Sequence, residues 1–133
     1  MADKTMELEV ISPDRSFYKG TVTMVEFNTT EGYMGIYPEH ISVAVIVSPG
    51  VLVIHEPSAT KKAALHSGFA KITGSKVTIF AEIVEWPEEI DFKRAEEANI
   101  RAKRRLGSRE AELDLQRAEI ALKKSIARIS LKD

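Results

Sequence analysis

Short hydrophobic runs separated by turn residues fill roughly the first two thirds of the chain. Thr21 to Phe27 alternates between apolar and polar positions, whereas Ser42 to Val47 is an almost continuous β-branched run. Alternation predicts a half-buried strand, and the continuous run predicts a strand covered on both faces. Ser48-Pro49-Gly50 and Gly74-Ser75 are turn clusters between runs. The spacing predicts eight to ten short strands in a sandwich or barrel.

The pattern changes to a helical period after Trp86-Pro87. Small or apolar residues then recur every three or four positions, at Phe92, Ala95, Ala98, Ala102 and Leu106. Gly107 predicts a helix end and Ser108 the cap of a second helix. That helix repeats the period at Ala111, Leu115, Ala118, Leu122 and Ile129. The short connection predicts an antiparallel hairpin, which is too small to be stable without a further surface to rest on.

Charge divides the 133-residue chain in the same place. Residues 1–87 carry 7 basic and 10 acidic side chains, whereas residues 88–133 carry 12 and 10. We therefore expect an α+β protein with a β module over 1–87 and a helical module over 88–133. The net charge of -1 argues against a nucleic-acid partner, and the absence of cysteine excludes disulfides. No signal peptide or apolar run of spanning length is visible, so we expect no direct membrane insertion.

Candidate catalytic chemistry is sparse. His40, His55 and His66 are scattered without the spacing of metal ligands. Gly32 and Gly35 resemble no phosphate loop, because no Gly-Lys-Ser or Gly-Lys-Thr follows them. The sequence predicts no catalytic residue, no metal site and no required cofactor, and hence a protein that is not an enzyme on its own.

Two pairs of cations stand out in the helical module. Arg94 and Arg101 are two turns apart on one helix, and Lys124 and Arg128 are one turn apart on the other. Folding the hairpin would bring the pairs together, and a bound triphosphate would relieve their repulsion. The alternative is an ordinary solvated face balanced by nearby acids. The spacing alone favours that alternative.

Two stretches resemble the epsilon subunit of bacterial F-type ATP synthases. Residues 29–54, TTEGYMGIYPEHISVAVIVSPGVLVI, are similar to its Gly-x-x-Gly-Ile-x-Pro-x-His … Pro-Gly stretch, and residues 67–82, SGFAKITGSKVTIFAE, to its second signature. The resemblance implies a ten-stranded antiparallel β-sandwich followed by a two-helix hairpin. It also implies a non-catalytic central-stalk subunit on the cytoplasmic face of the cell membrane, which couples ion-driven rotation of the c ring to ATP synthesis.

The resemblance also implies a regulatory ligand. In some bacterial members the folded hairpin binds ATP through an Ile/Leu-Asp-x-x-Arg-Ala motif, and residues 90–95, IDFKRA, match it. The ATP-binding residues implied are Glu85, Ile90, Asp91, Arg94, Ala95, Arg101, Lys124 and Arg128. The adenine end would be held by Glu85, Ile90, Asp91 and Ala95. Lys124 departs from the family, since ATP-binding relatives tend to have Arg there, and Lys lacks the planar fork.

The implied partners are the gamma subunit, the c ring and the alpha/beta catalytic hexamer. By resemblance, the loop around His40 lies in the region that meets gamma and the c ring, and Glu31 in a similar loop would pair with a base on the ring. The alternatives are a hydrogen-bonded loop histidine and a solvated turn acid.

A basic cluster is formed by Arg101, Lys103, Arg104, Arg105 and Arg109. When the helices extend, such bases would pair with acidic loops of the catalytic subunits, and the resemblance implies that this form inhibits ATP hydrolysis. The alternative is a helix C-terminal cluster favoured by the dipole alone. The remaining alternative is a free-standing nucleotide-sensing adaptor outside any rotary motor.

Overall fold

The computed structural model describes residues 4–108 and 112–132, which form eight strands followed by two helices. The strands are β1 Met6–Ser12, β2 Arg15–Val22, β3 Met24–Thr29, β4 Gly32–Ile36, β5 Val43–Val47, β6 Gly50–His55, β7 Thr60–Ile72 and β8 Lys76–Glu85. A 3-10 turn, Pro87–Glu89, leads to α1, Phe92–Leu106, and α2, Glu112–Ile129. The predicted α+β class and helical hairpin are confirmed, and the described strands number eight where the resemblance implied ten.

The sheet is antiparallel except at one place. Its order is β2-β1-β8-β7-β5-β3-β4, and β6 pairs with both β3 and β7. The strands β1 and β8 run parallel, with Leu8 opposite Val77. The long strand β7 pairs with β6 along its first half and with β5 along its second. It therefore joins the two layers of the sandwich.

A close backbone approach lies where β7 changes partners. Gly68 has a φ of 151°, a conformation that L side chains rarely adopt, and a Cβ there would collide with the carbonyl oxygen of Phe80. Glycine is needed here for both its conformational freedom and its size.

Alternating side chains fill the core between the layers. β1, β3 and β6 each bury every second residue, including Leu8, Phe27 and Leu52, which have no exposed surface. Each such side chain contributes roughly 1.5–3 kcal/mol by leaving water. The predicted single strand from Thr21 to Phe27 is interrupted at Thr23, whose amide donates to the His55 carbonyl.

The strand β5 corrects one expectation. Its continuous hydrophobic run predicted burial on both faces, but Ile46 is 62% exposed and Val43 37%, while Val47 is buried. The helices do not cover this part of the sheet, because α2 packs against β6 and β7. The apolar run therefore marks a surface of the isolated chain and not part of its core.

The two helices pack closely through small residues. Ala95 and Ala102 on α1 and Ala118 and Ser125 on α2 are buried, as the predicted stripes require. Asn99 donates from Nδ2 to the hydroxyl of Ser125 at 3.1 Å, and this is a polar tie between the helices.

The hairpin turn agrees with the sequence in part. Gly107 caps α1 in right-handed geometry, with a φ of -81°, so its role does not need a left-handed residue. The hydroxyl of Ser108 donates back to the Arg105 carbonyl at 2.7 Å and so closes α1. Arg109 and Ala111 lie outside the described residues, and so does the first turn that Ser108 was predicted to cap.

Candidate functional site

A cavity of about 400 Å³ lies where the end of the sandwich meets the hairpin. Glu85 ends β8, Asp91 and Arg94 begin α1, and Arg128 reaches the cavity from the end of α2. The full lining is Glu85, Glu89, Asp91, Arg94, Ala95, Ala98, Arg101 and Arg128. Six of the eight predicted ATP-binding residues thus share one cavity, although they come from three different elements.

The cations on α1 are accessible from two sides. A second cavity on the outer side of α1 is lined by Asp91, Lys93, Arg94, Glu97 and Arg101. Three residues, Asp91, Arg94 and Arg101, belong to both cavities. The guanidinium groups of Arg94 and Arg101 are exposed, so they remain available to an anion.

The local sequence explains how the start of α1 enters the cavity. Trp86 is extended before Pro87, as the residue before a proline prefers, and the 3-10 turn reverses the chain. Asp91 then caps α1, because its Oδ1 accepts from the Arg94 amide at 3.0 Å. Ile90 is only 8% exposed and anchors the turn. Ile90 is therefore next to the cavity but does not line it.

Glu85 and Arg128 are already paired. The Nε of Arg128 donates to Glu85 Oε1 at 2.6 Å, and both side chains are partly buried. Arg128 therefore does not need a bound anion in the folded hairpin, because this carboxylate balances its charge. The prediction that all four cations need an anion is wrong for this residue. Arg94 and Arg101 form no ion pair among the described residues. They are the cations that remain for a ligand.

Lys124 is the second predicted residue that does not line the cavity. It lies one turn before Arg128 on α2, is partly buried, and is close enough for its charge to act on His66. Of the two cations on α2, Arg128 therefore lines the cavity and Lys124 does not.

His66 is a residue of this region that sequence reasoning missed. Its imidazole is fully buried in β7 and lies with Nε2 3.2 Å from the same Glu85 oxygen that Arg128 uses. Burial first, and then the charge of Arg128, lowers the pKa of His66 to about 4. The signal was its position in the apolar stretch AALHSGFA, where a histidine must find a partner from elsewhere.

Glu89 also lines the cavity without having been predicted. Its Oε1 accepts from Arg15 at 2.8 Å and from the Trp86 amide at 2.9 Å. The hydrogen bond from Arg15 lowers the pKa of Glu89. Glu89 thus fastens the turn between the modules to β2, and the sequence signal was an acid two residues after Pro87.

The comparisons with known proteins identify the family. The family described as "ATP synthase, Delta/Epsilon chain, beta-sandwich domain" matches residues 5–87. A second, described as "ATP synthase, Delta/Epsilon chain, long alpha-helix domain", matches residues 88–132. The chain belongs to the ATP synthase delta/epsilon family. The resemblance seen in the sequence is confirmed.

Curated members of the delta/epsilon family match this chain almost from end to end. The "ATP synthase epsilon chain" of Clostridium novyi is 38% identical over 129 residues, covering 96% of this chain and 98% of that one. Its counterpart in Caldanaerobacter subterraneus is 38% identical over 130 residues, covering 97% and 94%.

Solved structures share the fold. A chain of the Euglena gracilis mitochondrial ATP synthase superposes with a TM-score of 0.81 at 23% identity, over 92% of this chain and 78% of that chain. A chain of the Tetrahymena thermophila mitochondrial ATP synthase central stalk and c ring gives 0.56 at 17% identity, over 98% and 96%.

The predicted partner-binding residues lie far from one another along the chain. Glu31 is exposed in the β3–β4 turn, where its amide is held by the Thr29 hydroxyl at 3.1 Å. His40 follows β4 and has its Nδ1 2.9 Å from the Ile41 carbonyl. Arg104 and Arg105 are exposed in the last turn of α1, where cations are favoured by the helix dipole. Arg109 lies outside the described residues.

An exposed apolar row crosses the sheet and was not predicted. Ile46, Phe69 and Phe80 are cross-strand neighbours on β5, β7 and β8. The two phenyl rings stack with centroids 4.8 Å apart, although Phe69 is 50% exposed and Phe80 38%. We call these three residues the aromatic row. Large apolar groups clustered in water indicate a contact surface.

The described residues give no support for two other kinds of site. Across 4–108 and 112–132, no group of three or more His, Asp or Glu side chains is placed to hold a metal ion. Neither helix, over its described residues, is both long and apolar enough to cross a bilayer.

Proposed function

We propose that this chain is the epsilon subunit of a bacterial F-type ATP synthase, a non-catalytic part of the central stalk. The observation that carries the proposal is the match of nearly the whole chain to relatives named "ATP synthase epsilon chain". In this role the chain transmits rotation between the c ring and the gamma subunit, at the cytoplasmic face of the membrane. The chain is non-catalytic in this role, and the catalytic hexamer performs the chemistry.

The two modules have separate tasks. The sandwich, residues 1–87, docks on gamma and the c ring, and the hairpin, residues 88–133, regulates ATP hydrolysis by changing between folded and extended forms. The two family matches meet between residues 87 and 88, which supports this division. The aromatic row offers an apolar surface for gamma, and Glu31 and His40 lie in loops available to the ring. Arg104 and Arg105 are free to meet acidic loops of the hexamer.

Co-purification tests the stalk role. The tagged chain, expressed in its native host, is expected to elute with gamma and the catalytic subunits after mild detergent extraction. A free-standing nucleotide-sensing adaptor would elute without them, and that result would refute the proposal. An unrelated β-sandwich protein that carries the same tag serves as the control for tag-dependent capture.

The folded hairpin binds ATP in the cavity between the modules. Its volume lies within the 300–1,000 Å³ typical of small-molecule pockets. Arg94 and Arg101 carry exposed guanidinium groups that suit phosphate oxygens, and Glu85 and Asp91 are carboxylates that suit the adenine amino group. The cavity exists only when α1, α2 and β8 meet. ATP therefore stabilises the folded form by its differential affinity.

Binding without hydrolysis is the expected outcome. Phosphoryl transfer needs a metal ion held beside the phosphates and a group that positions the attacking water. Each carboxylate of the cavity has one oxygen engaged, Asp91 in the helix cap, Glu85 with Arg128 and Glu89 with Arg15. Among the described residues, no group of three or more metal-binding side chains is placed to hold an ion. ATP is thus a regulatory ligand and not a substrate.

Calorimetry on the purified full chain tests the ATP site. We expect heat of binding for the unchanged chain and a loss of affinity of about tenfold or more for Arg94→Ala, since Arg forks bind phosphate through charge-assisted bonds. Arg117→Ala is the matched control, because Arg117 is an exposed arginine of α2 that pairs with Asp114 outside the cavity. The absence of heat at millimolar ATP, or an equal loss in both variants, would contradict the assignment.

A further inference from the structure

One buried histidine and one carboxylate join the sandwich to the hairpin. His66 on β7 and Arg128 on α2 both contact Oε1 of Glu85, at 3.2 and 2.6 Å. The imidazole is fully buried, and its Nδ1 has no hydrogen-bond partner within residues 4–108 and 112–132. Glu85 therefore contacts one element of each module, β7 in the sandwich and α2 in the hairpin.

The hydrogen-bond inventory determines which form of the imidazole fits. A neutral histidine has one N–H, and placing it on Nε2 satisfies Glu85 and leaves Nδ1 as a lone pair. A second proton would give Nδ1 an N–H that is buried without an acceptor among the described residues, which destabilises the protonated ring. The docked hairpin thus accommodates only the neutral ring.

The cations of α2 act in the same direction. Arg128 and Lys124 on α2 disfavour protonation of the imidazole, whereas Glu85 on β8 favours it. A protonated His66 would be a second cation on the carboxylate that Arg128 already occupies, with the charge of Lys124 acting on it as well. Release of α2 would remove both of these cations and leave His66 with Glu85 alone.

We propose that His66, Glu85 and Arg128 form an acid-sensitive clasp, in which a neutral His66 holds α2 on the sandwich and protonation of His66 releases it. The clasp belongs to the contact between the modules, so it operates with or without nucleotide. Acidification then favours the extended hairpin, and this goes beyond the ligand control proposed above.

The sign of the pH dependence follows from linkage. Burial and the α2 cations lower the pKa of His66 to about 4 in the docked form. Removal of the two cations raises the pKa of His66 in the released form toward its usual value, so the released form binds the extra proton more readily. Docking is therefore most stable above pH 6.5 and weakens as the pH falls toward 4.

Förster transfer across the modules measures the clasp in the full chain. The chain has no cysteine, so Ser58→Cys and Glu119→Cys place dyes at two exposed positions, one on each module. We expect transfer to change progressively between pH 7 and 5 in the otherwise unchanged chain, without nucleotide. His66→Gln keeps a donor for Glu85 but cannot be protonated at these pH values, so its transfer should stay constant.

His55→Gln is the matched control. His55 also lies beside a carboxylate, that of Glu26, but belongs to the β6–β3 contact and not to the contact of His66 with Glu85 and Arg128. This variant should follow the unchanged chain. A constant transfer in the unchanged chain would overturn the proposal, and so would a pH response of His66→Gln equal to that of His55→Gln.

Nuclear magnetic resonance provides a test on the unchanged chain, which does not require that any variant fold. In the unchanged chain, the imidazole resonances of the three histidines and the amides of α2 are followed as the pH is lowered. The α2 amides should change with the same midpoint as the His66 ring. A common midpoint with His40 or His55 instead would overturn the clasp.

Discussion

At the residue scale, Lys124 is the position where the chain departs most from a nucleotide site built of arginines. It lies on α2 but does not line the cavity, and an ammonium group offers a phosphate only a point charge. A guanidinium there has a longer reach and a bidentate fork. The weakest part of the proposed site is therefore the side contributed by α2.

We expect Lys124→Arg to tighten ATP binding several-fold, because a guanidinium with its longer reach could contact the phosphates through two parallel N–H bonds. Calorimetry on the full chain measures the change in affinity. Lys123→Arg is the control, since Lys123 is the adjacent lysine, is exposed, and lines a different groove with Ile126. An equal gain in both variants would mean a general charge effect and would contradict a local role for Lys124.

The motif Ile90 to Ala95 was the part of the site most readable from sequence. Asp91, Arg94 and Ala95 lie within one helical turn, so their proximity follows from helix geometry alone. The contact of His66 with Glu85 could not be read in this way. It depends on the register of β7 against β8, which a sequence does not display.

At the scale of elements, the first turn of α1 determines whether the cavity exists. Asp91 caps this helix and also lines the cavity. We expect Asp91→Ala to lower the stability of the hairpin by about 1 kcal/mol, because the Arg94 amide at the start of α1 loses its hydrogen-bond acceptor. Thermal unfolding followed at a helical wavelength measures this loss.

Asp91→Asn separates the two roles of the residue. Asparagine caps helices about as well as aspartate but carries no charge. It should therefore retain most of the thermal stability and still weaken ATP binding. If Asn restores both properties, the carboxylate has no part in holding the ligand.

The element whose burial the sequence misrepresented is one that exposes apolar side chains. The alternation in β1, β3 and β6 matched their burial, because one face of each strand packs on the core of its own module. The run at β5 looked like a core strand, since hydrophobic pattern cannot distinguish a surface buried by the fold from one buried by a partner. The aromatic row escaped notice for the same reason.

At the scale of the whole molecule, the contact with the hairpin and the aromatic row involve different sets of strands. The hairpin rests on β6 and β7 through α2, and the aromatic row lies on β5, β7 and β8. We therefore expect a change in the aromatic row to leave the contact with α2 in place.

We expect the double variant Phe69→Ser, Phe80→Ser to weaken association with gamma by about tenfold or more, since aromatic anchors dominate interface energies. Both rings are partly exposed, so the chain should still fold and still bind ATP. Binding of the purified variant to surface-immobilised gamma measures the change in affinity. Lys62→Ser, an exposed change on the opposite half of β7, is the control. Unchanged affinity in the double variant would exclude the row as the gamma surface.

The parallel pairing of β1 with β8 imposes an order on biosynthesis. The first strand leaves the ribosome early but finds one of its two neighbours only after Lys76–Glu85 has been made. Until then only β2 can cover it, so its other edge stays open. Contacts of such long sequence separation form late and slowly. The sandwich can therefore be completed only after β8 has been synthesised, and the residues of the hairpin follow directly.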